Sequence, residues 1–186
     1  MVYVKYGFAA VGLSLVLLII VGFFMSNEAE VERSVNIDAD REMVFEVLNN
    51  IKTWEDWMYW KDIDQEVYFR YHGPSRGRRA AVDWRSDNPE VSSGRVRIIE
   101  SDPPEYIEAY VEHDEDGPEE LTYKFELETD EVYTHLSWTQ EIKFTDNPFL
   151  AFLALSIDDI EGPKMEKGLE NLKELSEEKF REEREL

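Results

Sequence analysis

The chain contains no cysteine. That excludes disulfide cross-links, thiolate nucleophiles and cysteine-ligated zinc, and it leaves the redox compartment undetermined. Positive charge is also scarce: 20 Lys and Arg stand against 42 Asp and Glu, a formal net charge of -22. Such a surface repels phosphate backbones, which argues against nucleic acid as a partner, and it offers no peripheral attraction to anionic lipid headgroups. The excess acid reads as a solvating surface. Histidine is rarer still. His72, His113 and His135 fall on three different predicted strands, at no spacing that metal ligands use, so no metal and no cofactor is expected. By parity His135 belongs to the solvent face, beside Ser137 and Thr139. Nucleophile elbow, P-loop and dinucleotide-binding glycine motifs are absent. Gly73-Pro74-Ser75-Arg76-Gly77 reads as a hairpin loop, without the strand-to-helix setting of a phosphate cradle. Arg76, Arg78 and Arg79 form one basic cluster, which either balances neighbouring acids or meets an anionic group. Carboxylates are too many to single out a catalytic pair.

Charge is missing altogether from Tyr6 to Asn27, and Phe8–Met25 is almost wholly apolar. About 20 helical residues cross the hydrocarbon core of a bilayer, so this stretch predicts a membrane helix. Phe23-Phe24-Met25-Ser26-Asn27 offers no pair of small residues for cleavage, which favours an uncleaved signal-anchor. Lys5 lies before the span, while Glu28, Glu30 and Glu32 follow it with Arg33. The positive-inside bias then predicts a single-pass protein with its domain on the extracytoplasmic side. Two regions result: an anchor over residues 1–28 and a domain over 29–183, the latter large enough for a proper core.

The domain alternates. Val31, Arg33, Val35 and Ile37 interleave with polar residues over 30–37, and Asp38 or Asp40 is placed to cap a helix whose Val44, Val47, Leu48 and Ile51 form one stripe. Trp54, Trp57 and Trp60 follow, the first two reading as plugs of the core and Trp60 equally as a residue at a cavity mouth. Six further strands are predicted over 65–72, 78–85, 93–101, 105–113, 119–129 and 132–144, separated by turn signals such as Ser86-Asp87-Asn88-Pro89 and Asp102-Pro103-Pro104. With the first, that makes seven antiparallel strands in one domain without internal repeats. On the last strand Val132, Thr134, Leu136, Trp138, Gln140, Ile142 and Phe144 share the inward face. Thr134 and Gln140 therefore need a backbone partner, water or a ligand.

The run 148–183 closes the chain. Phe149–Leu155 is apolar throughout, and Met165, Leu169, Leu172 and Leu175 then mark one stripe of a long amphipathic helix. Gly162-Pro163 predicts a kink or a break within it. Seven consecutive apolar residues exceed what one buried stripe requires, so Phe149–Leu155 either closes the core or forms a lip against a bilayer.

Three segments carry a resemblance to a known family: Val35–Phe45, the Trp54/Trp57/Trp60 series, and the ending 162–173 with its Glu-x-Gly-Leu-x-x-Leu-Lys pattern. In this order they resemble the START/Bet v 1-like (SRPBCC) superfamily, in its bacterial polyketide cyclase/dehydrase-like branch, over about residues 30–180. Asp40 departs from the proline usual there, and suits the helix dipole. The resemblance implies an α+β helix-grip fold: a seven-stranded antiparallel sheet wrapped around the C-terminal helix with an apolar cavity between them. It implies no catalytic residues, because the superfamily shares no universal set and fold does not fix function. The expected function is a membrane-anchored protein holding a small apolar or amphipathic, lipid-like or polyketide-like ligand. Its cavity would be lined by Trp57, Trp60, Val82, Trp84, Val96, Tyr123, Phe125, Thr134, Trp138, Gln140, Phe152 and Met165. The alternatives are a cyclase- or hydrolase-type enzyme with an acid or base in the cavity, and a non-catalytic envelope or stress protein that makes only protein contacts.

Overall fold

The structure, a computed structural model, describes residues 2–114, 117–130 and 133–185. Val132, expected on the last strand, lies outside the described residues. Helix α1 (Val2–Phe24) leads into strand β1 (Glu28–Ile37) and helix α2 (Arg41–Asn49). A 3-10 turn (Ile51–Thr53) and two one-turn helices, α3 (Trp54–Trp57) and α4 (Trp60–Ile63), follow. The meander comprises β2 (Tyr68–His72), β3 (Ala81–Arg85), β4 (Gly94–Asp102), β5 (Tyr106–His113), β6 (Glu120–Thr129) and β7 (Thr134–Lys143). Helices α5 (Leu150–Ala154) and α6 (Ile157–Arg184) end the chain. One antiparallel sheet has the order β1-β7-β6-β5-β4-β3-β2, so the first strand pairs with the last, from Glu28 opposite Lys143 to Ile37 opposite Thr134.

Alternation decides which face is buried. Ile107, Ala109 and Val111 of β5, Leu121, Tyr123, Phe125 and Leu127 of β6, and Leu136, Trp138 and Ile142 of β7 are all buried. Their neighbours in sequence point to solvent. Onto this surface α6 sets Met165, Leu169 and Leu172, and α2 adds Val44, Val47 and Leu48. Each such side chain contributes about 1.5–3 kcal/mol on burial, and together these contacts hold α6 in the grip of the sheet.

A break, one of the two outcomes expected at Gly162-Pro163, does not fall there. Helix α6 passes through Gly162-Pro163 without a break, and the interruption falls earlier, between α5 and α6 at Leu155-Ser156. Arg33 of β1 explains the continuity. Its guanidinium bonds Asp158 (Nη1 to Oδ1, 2.8 Å) and Glu166 (Nε to Oε1, 2.8 Å), one on each side of Gly162-Pro163. A Cβ at Gly162 would collide with that guanidinium, so the glycine makes room for the clamp that splints the proline turn. Asp40 does occupy the N-cap of α2, but its side chain accepts no bond there; its backbone carbonyl does, from Met43 and Val44.

Of α1 the structure describes the side chains of Tyr6 and of residues 12–24. Among the described residues no helix is long and apolar enough to cross a membrane. The last turns of α1 expose Phe23 and Phe24, and Gly22 presses against Pro148 so closely that a Cβ there would meet the Pro148 carbonyl.

Candidate functional site

Between the sheet and α6 the interior is filled by rings. Trp57 lies 5.8 Å, centroid to centroid, from Trp138 and 5.9 Å from Phe125, both edge-on, while Phe125 stacks on Trp138 at 5.4 Å. Tyr123 meets Trp138 edge-on at 5.3 Å. A second group joins Trp60 to Trp84, stacked at 4.7 Å. Trp60 is buried, not at a mouth as its position in sequence had equally allowed. Gly168 of α6 lets the Trp138 ring come close to the helix backbone, since a Cβ would sit 3.1 Å from Cζ3.

The polar atoms inside this cluster divide in two. Trp54 Nε1 donates to Leu48 O (2.8 Å) and Trp84 Nε1 to Val91 O (3.3 Å). Thr134 Oγ1 donates to Ala39 O (2.7 Å), so the backbone satisfies one of the two inward polar groups of β7. Gln140 behaves otherwise. Its Nε2, together with Trp57 Nε1, Trp138 Nε1 and Ser176 Oγ, is buried without a hydrogen-bond partner. Gln140 lies two residues from Trp138 on one face of β7, opposite Tyr123 of β6, and Trp138 abuts Trp57. Trp57 and Trp138 both lie beside Gly168, and Gln140 is the next inward residue after Trp138 on β7. A buried donor left unpaired costs about 1–3 kcal/mol, and native proteins carry few of them.

Toward the end of the sheet where α1 and α5 meet, the interior turns polar. The phenols of Tyr59 and Tyr123 are pushed up by burial and by the nearby Glu161 carboxylate, and so remain protonated at physiological pH. The His113 imidazole is pushed down, chiefly by burial. It packs edge-on against Trp84 at 5.7 Å, and its Nδ1 lies 3.3 Å from Ser92 Oγ. Lys164 Nζ donates to Glu161 Oε1 (2.8 Å) and sits 5.6 Å from the centre of the Tyr59 ring. Among the described residues no group of three or more His, Asp or Glu is arranged to hold a metal ion.

Of the twelve side chains expected to line a cavity, eleven are no more than 4 % exposed: Trp57, Trp60, Val82, Trp84, Val96, Tyr123, Phe125, Thr134, Trp138, Gln140 and Met165. Phe152 is half-buried on α5. Five clefts on the surface are lined by other residues, Thr134 excepted. The side chains expected to line a cavity are instead buried and, in the case of the rings, packed against one another. Sequence reasoning passed over Tyr59, Glu161, Lys164 and Ser176. Ser176 had a signal: it falls four residues after Leu172 in the apolar stripe, and it is buried where Leu175 is only half so. Of the basic cluster, Arg76 is paired with Glu46 at 2.6 Å.

A family model described as polyketide cyclase / dehydrase and lipid transport matches residues 28–177. The chain belongs to that family. The polyketide cyclase/dehydrase match runs from β1 through most of α6 and begins after α1. No curated protein matches the chain. Among solved structures it is similar to the Zhui aromatase/cyclase from Streptomyces sp. R1128, at 18% identity and TM-score 0.58, over 81% of this chain and 94% of that one. A protein from Rhizobium leguminosarum gives 12% identity and TM-score 0.61, over 81% and 95%. The di-domain ARO/CYC StfQ from the steffimycin biosynthetic pathway gives 10% and 0.62, over 82% of this chain and 51% of that one. At such identities the likeness is one of fold.

Proposed function

We propose that this member of the polyketide cyclase/dehydrase family binds one small apolar or amphipathic ligand, lipid-like or polyketide-like, between the sheet and α6, and that α1 holds it at a membrane. The observation that carries the first half is the set of partnerless donors, Trp57 Nε1, Trp138 Nε1 and Gln140 Nε2, inside an otherwise apolar interior. Donors without acceptors fit a ligand with an acceptor-bearing end, such as a carbonyl or carboxylate, and an apolar body that replaces ring contacts. Rings fill the space in the closed form, so uptake displaces them and indole fluorescence reports it.

Native mass spectrometry of the detergent-extracted full chain tests this reading. A co-purifying small molecule, or an oleate adduct accompanied by a change in tryptophan emission, is expected. Neither a bound mass nor an emission change with oleate would overturn it.

The second half rests on the sequence alone: no charge falls between Tyr6 and Asn27, and Phe8–Met25 is almost wholly apolar, about the length that crosses a bilayer. Retention of the chain in membranes after alkaline carbonate washing is expected. A C-terminal reporter should be active only on the extracytoplasmic side; activity in the cytoplasm would reverse the orientation.

One observation favours an enzymatic reading instead. His113 is a neutral imidazole at the polar end of the grip, close to Glu161 and Lys164, and so is equipped to accept a proton. Turnover of a bound ligand that His113→Gln abolishes without loss of binding would decide for it.

A further inference from the structure

Helix α5 and the start of α6 leave apolar side chains uncovered. Phe149 is 64% exposed and Leu155 72%, and Leu153 and Ile160 are exposed as well. Monomeric soluble proteins seldom leave such a contiguous patch bare without a partner for it. Its position identifies the partner. Pro148, two residues before the start of α5, is the residue against which Gly22 is pressed, and no Cβ fits between them. The end of α1, with Phe24 87% exposed, is therefore fixed beside the patch, and the same medium covers both. The patch also lacks the means to recruit a charged surface. Between Thr145 and Ser156 the only charge is Asp146, and Asp158, Asp159 and Glu161 follow. Contact driven by basic residues is excluded, and contact driven by apolar burial remains.

We infer that Phe149, Leu153 and Leu155 form a lip inserted into the surface of a neutral bilayer, next to the point where α1 leaves it. This rests on the reading of α1 as an anchor. It adds that the domain is held down at a second place, and that the polar end of the grip, with Tyr59, His113, Glu161 and Lys164, opens toward the lipid. A ligand would then arrive from the bilayer rather than from the aqueous phase. Anionic lipid should weaken the contact, because the net charge of -22 on the chain is repelled.

The absence of cysteine makes the test direct. Single variants Leu155→Cys, Phe149→Cys, Leu17→Cys and Glu178→Cys of the full chain are labelled with an environment-sensitive fluorophore and reconstituted in phosphatidylcholine vesicles. Lipid-borne nitroxide and aqueous iodide then compete as quenchers. Labels at 17, 149 and 155 are expected to respond to nitroxide, and that at 178 to iodide, with quenching at 155 reduced when phosphatidylglycerol is added. Nitroxide quenching at 17 with iodide quenching at 149 and 155 would overturn the lip and leave the anchor standing. Iodide quenching at 17 would overturn both. Self-quenching at 155 that grows with the protein-to-lipid ratio would show a second copy of the chain on the patch, and would overturn the lip.

Discussion

Gln140→Met separates a ligand-contacting donor from a packing residue. The side chain of Gln140 is 1% exposed and its Nε2 has no partner, so the folded protein bears a desolvated amide donor. Such a group costs about 1–3 kcal/mol, and replacing it with an apolar group of the same shape is neutral or stabilising. Methionine has nearly the same length and no donor. The ligand-free variant should therefore gain about 1–2 kcal/mol, which in a chain of this size raises Tm by about 2–8 °C. Binding moves in the opposite direction: losing one hydrogen bond to a carboxylate acceptor weakens oleate by about 1.5 kcal/mol, or roughly tenfold in Kd. The assay is a thermal melt of the full chain in detergent, with and without oleate, paired with a fluorescence titration. A packing residue would lose stability and binding together. If Gln140→Met melts lower than the parent, the amide is satisfied within the protein and the argument from unpaired donors fails.

Ser176 offers a control remote from ligand contact. Its hydroxyl is buried without a partner in the middle of α6, so Ser176→Ala should stabilise by about 1 kcal/mol through lost desolvation and better helix propensity, read as a higher denaturant midpoint. Trp60→Ala should cost about 3–5 kcal/mol, because the ring is stacked on Trp84 in the core; a loss under about 1 kcal/mol would return Trp60 to a cavity mouth. The Asp83 carboxyl is held at about 2, first by the Arg95 guanidinium and also by His72. Its folded value is depressed, so its contribution is complete above the ordinary 3.8 and is lost as pH falls from there through about 2. The pair is partly exposed, so Asp83→Asn should remove less than about 1 kcal/mol of that acid dependence in pH-resolved denaturation. His113 is also depressed, so its stabilising effect is complete above 6.5 and fades below it; His113→Gln should flatten the stability profile on the acid side of that value.

The alternation of β5, β6 and β7 made the sheet legible, because a period of two admits one buried face and the apolar residues chose it. The stripe Met165, Leu169, Leu172 did the same for α6. Pro163 signalled a kink or a break, and the helix runs on through it, gripped on either side by Arg33, more than a hundred residues away. Thr134 and Gln140 looked alike in sequence. Only tertiary placement distinguishes them, since Ala39 offers a carbonyl to Thr134, while among the described residues none offers an acceptor to Gln140 Nε2. Trp57 and Trp138 counted simply as bulk in the hydrophobic pattern, which hid the N–H each carries. His113 shares the inward parity of Ile107, Ala109 and Val111, but it ends the strand and is half-buried, against Trp84 and the chain at Gly117.

The two borders of the sheet decide how copies of the chain can meet. An open strand invites pairing with another chain. Here β1 has α6 locked along it through Arg33 and presents Glu28, Glu30 and Glu32, while β2 is only five residues long and carries Arg70 and His72. Neither margin is a good template for strand-by-strand growth. Copies of the chain can therefore collide without zipping into fibres.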